Sequence, residues 1–151
     1  MTQNLNNFLK TQERQKYATQ NGTKIHAQLQ NVIVDDVHGC RGDADIIDKI
    51  KQNPNLCKYF CANAKTEVPI AGILNGIFVS RRIDRLLINN ATKTIFFIDY
   101  KTDTNKTAFI DKYQKQLKEY AQLLRSAYPE YQIYGGILWL CDWQLQQIIS
   151  L

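Results

Sequence analysis

The sequence predicts an α/β domain with a mixed central sheet and helices on both of its faces. Three observations lead there. Residues 67 to 74, 76 to 88 and 94 to 101 read as three consecutive strands, rich in β-branched and aromatic side chains and bounded by turn chemistry, an antiparallel meander. Ala108 to Tyr128 is the clearest helix: Ile110, Tyr113, Leu117, Tyr120, Ala121 and Leu124 fall on one face, and Pro129 stops it. Gln132 to Leu140 is a continuous apolar run, suited to a strand buried on both sides and so to a central or parallel position. With a helix upstream, the order is α-βββ-α-β, a pattern that lays helices against both faces of one sheet.

The remaining elements follow in chain order. Residues 6 to 20 are polar with scattered apolar positions and suggest a helix, which Gly22-Thr23 breaks. Thr23 suits the N-cap of the next helix, where Ile25, Leu29, Val32 and Ile33 form one apolar stripe. His38-Gly39-Cys40-Arg41-Gly42 ends that segment. Asp43 can cap a short helix through about Lys51. Asn53-Pro54-Asn55 reads as a turn, and Leu56 to Ala64 as a further helical turn or two. After the last strand, Asp142 can cap a short C-terminal helix, Trp143 to Ile149.

The chain has 151 residues, enough for one domain (1–151) with a full core. Its hydrophobic fraction of 44% and charged fraction of 22% are those of a globular protein. The net charge of +5 permits contact with a polyanion without demanding it. No apolar run is long enough to span a bilayer. Met1-Thr2-Gln3-Asn4-Leu5 lacks the basic and apolar regions of a secretory signal, so a cytoplasmic protein is the expectation. The four cysteines, Cys40, Cys57, Cys61 and Cys141, are expected to be reduced and buried as small apolar residues.

Chemistry concentrates between Arg82 and Lys101. Ile83-Asp84-Arg85-Leu86 lies in one strand, Ile98-Asp99-Tyr100-Lys101 in the next, and Asn89-Asn90-Ala91-Thr92-Lys93 turns between them. Asp84 and Asp99 interrupt apolar runs, where an unpaired carboxylate is costly. A period of two puts Asp99 and Lys101 on one face and Tyr100 on the other, and likewise puts Arg82, Asp84 and Leu86 together. Two carboxylates on adjacent strands with a lysine beside them suit a hard divalent cation and an activated water. Each residue also has an ordinary reading: Asp84 in a surface ion pair with Arg82 or Arg85, Asp99 as a strand terminator, Lys101 as a strand-end lysine. Glu67 can be an exposed strand end. Gln116 and Tyr120 are neighbours on one helix face, with Tyr120 on the apolar stripe.

Taken together, Asn21-Gly22-Thr23-Lys24-Ile25-His26, Glu67-Val68-Pro69-Ile70, Ile83-Asp84-Arg85-Leu86, Asp99-Tyr100-Lys101-Thr102-Asp103 and Gln116-Leu117-Lys118-Glu119-Tyr120 resemble, in order, the motifs of the RecB- and AddA-type nuclease domain of the PD-(D/E)XK superfamily. The resemblance covers most of the chain. It implies a restriction-endonuclease-like α/β/α sandwich and a Mg²⁺- or Mn²⁺-dependent DNase acting on single-stranded DNA or duplex ends in recombinational repair. By the same resemblance His26, Asp84, Asp99 and the Tyr100 carbonyl hold the metal, and Lys101 and Glu67 assist the chemistry. It further implies that Gln116 and Tyr120 contact DNA or the site's surroundings. His38, in a Gly-flanked loop, is the competitor of His26. Arg81, Arg82, Arg85 and Lys106 are candidates for phosphate contacts. The family usually has Gly where this chain has Arg81, whose side chain narrows the approach. Two other readings of the same fold are a non-catalytic DNA- or partner-binding module and a structure-specific endonuclease. No G-x-x-x-x-G-K-[ST] loop is present, so a helicase that accompanies such a domain would be supplied separately.

Overall fold

The computed structural model describes residue 20 and residues 22–151. The helix expected over residues 6 to 20 lies, but for Gln20, outside the described residues. Helix α1 covers residues 22–30. A small antiparallel hairpin follows, β1 (Ile33–Asp35) and β2 (Gly39–Arg41). Next come α2 (Ala44–Lys51), the short α3 (Pro54–Cys57) and a 3-10 turn over Lys58–Phe60. The main strands are β3 (Lys65–Leu74), β4 (Ile77–Asn89), β5 (Thr94–Lys101), β6 (Gln132–Trp139) and β7 (Gln144–Ser150). Helix α4 (Lys106–Ala127) connects β5 to β6.

The five strands lie in sequence order, β3-β4-β5-β6-β7. All neighbours are antiparallel except β5 and β6, which are parallel. A parallel pair needs a crossover, and α4 supplies it. Asn75 and Gly76 both have positive φ, which suits the tight turn joining β3 to β4. The outer half of β4 pairs only with β3, so this hairpin extends past β5. Gly135 is required by close approach: a Cβ there would stand 2.2 Å from the ring of Phe97, its partner on β5.

Helices cover both faces. Beneath α4, Tyr113, Leu117, Tyr120, Ala121 and Leu124 pack on Leu86, Ile95, Phe97, Ile133, Ile137 and Trp139. On the other face Leu29 of α1, Val34, Ile46, Ile50, Leu56 and Phe60 pack on Ile98, Tyr100 and Leu138. Alternation along β5 feeds the two cores in turn: Ile95 and Phe97 to one, Ile98 and Tyr100 to the other. In β4 the alternation breaks, since Ile83 and Leu86 share the core under α4. The break coincides with the end of the β4–β5 ladder at the Arg85–Ile98 pair.

Several expectations are corrected. Gly22 and Thr23 are helical, so Thr23 is not an N-cap. A helix absorbs one glycine at about 1 kcal/mol relative to alanine. The stripe through Val32 and Ile33 is not one helix: α1 ends at residue 30 and Ile33 begins β1. There Asp35 accepts the N–H groups of Val37 and His38, turning the chain into a hairpin. Pro54 is not in a free turn but at the start of α3, where its missing N–H costs nothing. The C-terminal helix is instead strand β7. Leu145, Ile148 and Ile149 have helical spacing, but a bulge opposite Gly135/Gly136 inserts one residue in the strand. Ile148 and Ile149 thereby reach the same core. The thiols are free, but Cys40 and Cys141 are exposed and Cys57 and Cys61 only half-buried. The Asp43 cap is as expected, accepting from Asp45 N and Ile46 N.

Candidate active site

An open cleft of about 750 Å³ lies where the β4–β5 ladder ends, between α1 and α4. His26 comes from α1, Glu67 from β3, Arg82 and Asp84 from β4, Asp99 and Lys101 from β5, and Gln116 and Tyr120 from α4. The ladder register sets the first part of this geometry. Thr66 pairs with Arg85 and Val68 with Ile83, which puts Glu67 opposite Asp84. Glu67 has φ 53°, a costly conformation for a non-glycine strand residue, held at the cleft. Its carboxylate pairs with Arg82 Nε at 2.9 Å.

Asp84 takes over where the ladder stops. Its Oδ2 accepts the Tyr100 N–H at 2.8 Å, in place of a strand partner. In a parallel pair only alternate residues turn their backbone groups to the neighbour. Lys101 O accepts from Leu140 N, so Lys101 faces β6 and Tyr100 faces the β4 side, where Asp84 meets it. Burial, then the nearby Asp99 carboxylate, push the Asp84 carboxyl up to about 7, against the Tyr100 N–H that favours its ionised form.

Asp99 is 3% exposed. Its Oδ2 lies 2.7 Å from Lys101 Nζ, an ion pair, yet accepts no hydrogen bond of good geometry. Lys101 in turn donates to Gln116 Oε1 at 3.0 Å and stands 4.2 Å from the centre of the Tyr113 ring. Gln116 Nε2 donates to the Tyr120 hydroxyl at 2.6 Å. His26 Nδ1 is 3.8 Å from Asp84 Oδ1, and its ring meets Tyr100 edge-on. Desolvation lowers the His26 pKa, which favours the neutral imidazole with a lone pair to offer.

The residues expected at the site are therefore brought together, apart from Arg81, Arg85 and Lys106. Arg85 is 2% exposed and not at the cleft. It points to the core opposite α4, where its guanidinium donates to Tyr100 Oη, Leu29 O and Val32 O and lies 4.1 Å over the Phe60 ring. It ties the end of α1 to the sheet, so it is no phosphate contact. Tyr120 lines the cleft, packs against Phe97, and through its hydroxyl holds Gln116, a place in the site's surroundings. Lys106 pairs with Asp142 beyond the cleft, and Arg81 with Glu119 of α4. His38 sits in the β1–β2 turn, 3.2 Å from Asp35. Sequence reasoning missed Asp103, which lines the cleft and accepts a short hydrogen bond from Tyr113. Its place two residues after Lys101 was the available signal.

Among the described residues, no three His, Cys, Asp or Glu side chains form a ready-made metal cage. The donor chemistry nonetheless fits a hard divalent cation: the buried Asp99 carboxylate, with an oxygen short of hydrogen bonds, and the half-buried Asp84 carboxylate, beside an imidazole that burial favours in its neutral form. The Lys101 ammonium is the counter-charge to Asp99, and a divalent cation would compete with it. Comparison with protein-family models, curated proteins and solved structures finds no match for this chain.

Proposed function

We propose that the chain is a Mg²⁺- or Mn²⁺-dependent deoxyribonuclease of RecB/AddA type on a restriction-endonuclease-like α/β/α sandwich. Its substrate is the phosphodiester of single-stranded DNA or a duplex end, and its setting is recombinational repair. One observation carries the reading: His26, Glu67, Asp84, Asp99, Lys101 and Gln116, drawn from five separate elements, line one cleft.

His26, Asp84, Asp99 and the Tyr100 carbonyl are the residues that would hold the cation. When bound, it polarises the scissile phosphate and lowers the pKa of a water. The rest is done by the chain's own groups. Lys101, steadied by Gln116, turns its ammonium toward the phosphate and offsets the negative charge that develops there. Glu67, aligned by Arg82, is the carboxylate placed to take the proton of the attacking water. The Gln116–Tyr120 pair keeps Lys101 from swinging to solvent. A cytoplasmic location and a helicase supplied separately belong to the same proposal. Among the described residues no helix is long and apolar enough to cross a membrane.

A non-catalytic binding module on the same fold draws on one observation, that Lys101 already occupies the Asp99 carboxylate as its counter-charge. Nicking of plasmid and of circular single-stranded DNA with Mg²⁺ or Mn²⁺ separates the two. The nuclease reading requires metal-dependent cleavage that Asp99→Ala abolishes. Cleavage-free binding by the wild type supports the module.

A further inference from the structure

A second groove, of about 520 Å³, runs along α4 beside the cleft. Its walls are Arg81 of β4 and Lys112, Tyr113, Lys115, Gln116 and Glu119 of α4, with Lys101 at its inner end. Lys101 and Gln116 line both spaces, so the groove opens onto the carboxylates. Four of its seven residues are cations and one is an acid. That acid, Glu119, is consumed by Arg81 at 3.0 Å. Lys112 and Lys115 are exposed and make no ion pair among the described residues. They stand three apart, on one side of the helix. One turn further out, Phe109 is 37% exposed, an unusual place for a large aromatic, and its ring stacks on Tyr113 with centroids 6.0 Å apart. Exposed cations beside an exposed aromatic platform suit a single nucleic-acid strand, which offers phosphates and an unpaired base face together. A duplex hides its base faces, so Phe109 has no use there.

We propose that this groove holds the backbone of a single nucleic-acid strand on one side of the carboxylate cleft. Lys112 and Lys115 contact its phosphates, and Phe109 stacks one base. The inference rests on the nuclease reading for its direction but is tested by binding alone.

The test is fluorescence anisotropy of the whole chain with a labelled single-stranded oligonucleotide and with the matching blunt duplex, in EDTA, across a salt series. The double variant Lys112→Gln/Lys115→Gln is expected to weaken single-strand binding about tenfold and to flatten the log Kd against log salt slope by about 1.4. Phe109→Ala is expected to weaken it by about tenfold with no change of slope. The double variant Lys49→Gln/Lys51→Gln, which removes the same charge from α2, is expected to change neither. All substituted side chains are exposed, and unchanged melting temperatures confirm the fold. Unaltered single-strand affinity in the groove variants overturns the proposal. So does an equal loss on the duplex from Phe109→Ala, or a wild type that does not bind the strand. If binding behaves as expected but no cleavage occurs with Mn²⁺, the groove stands and the nuclease reading falls.

Discussion

Asp84 and Arg85 are adjacent in β4, the first half-buried at the cleft and the second fully buried, and the fold treats them in opposite ways. Arg85 is saturated: the Tyr100 hydroxyl, the Leu29 carbonyl of α1, the Val32 carbonyl just after it and an aromatic ring surround its guanidinium. Among the described residues no acid pairs with it, yet the carbonyl end of a helix carries partial negative charge that suits a cation. Asp84 is held by one backbone N–H and faces a second carboxylate, Asp99, across a ladder that has come apart. Asp99 has only Lys101. One buried charge serves the structure. Asp99 keeps an oxygen short of hydrogen bonds at a cleft, where strain of this kind usually has a functional use.

The first way to sharpen that contrast is to remove a cleft carboxylate. Asp99→Ala is expected to cut metal-dependent nicking by more than about 10³-fold, beyond the loss of one electrostatic donor. Its melting temperature without divalent ion should change little, because repulsion with Asp84 is relieved and Lys101, which lines the open cleft, turns to water in place of the lost pair. A clearly lower melting temperature would mean that the Asp99–Lys101 pair is structural. Next comes Lys101→Ala, expected to lose about 10²–10³-fold in rate by single-turnover kinetics. Mn²⁺ affinity should stay equal or rise, since the competing ammonium is gone.

On the other face, Arg85→Ala is expected to lower stability by about 2–4 kcal/mol, because it removes the buried donors to the Tyr100 hydroxyl and to the Leu29 and Val32 carbonyls together with the packing on Phe60. Arg85→Lys keeps the charge but not the forked donors and should recover only part of this. Denaturant unfolding monitors both. A neutral effect of Arg85→Ala would erase the contrast with Asp84.

The smallest effect is in pH. The Asp84 carboxyl is raised to about 7 in the folded protein, against 3.8 as its ordinary value. Between those limits the native state keeps a proton that the unfolded chain has released. Stability from this group is thus fully present below the lower limit and is lost as pH rises through about 7. Melting curves of wild type minus Asp84→Asn, without divalent ion, should decline from pH 5 to pH 8 by on the order of 1–2 kcal/mol. A flat difference would place Asp84 in a better-solvated setting.

Much of this was legible in the sequence because it is local and periodic. Strand β5 and helix α4 carry unbroken patterns, and Asp99 and Lys101 share a face by simple alternation, as their 2.7 Å contact bears out. What was hidden depends on tertiary partners. Strands β1 and β2 have three residues each and are made by their pairing and by Asp35. Strand β7 looks helical because its bulge resets the alternation between Gln147 and Ile149. Arg85 was the avoidable miss. The alternation that sends Asp84 to the cleft sends its neighbour to the core beside Tyr100, but a lone arginine suggests a surface until the Leu29 and Val32 carbonyls are seen around it.

The central claim, that the Asp84–Asp99 pair is a cation site while Arg85 is structural, is tested most directly by titration calorimetry with Mn²⁺ near pH 8. The account predicts saturable binding to the wild type, unchanged in Arg85→Lys and lost in Asp99→Ala. Equal affinity in wild type and Asp99→Ala, or no binding to the wild type, would contradict it.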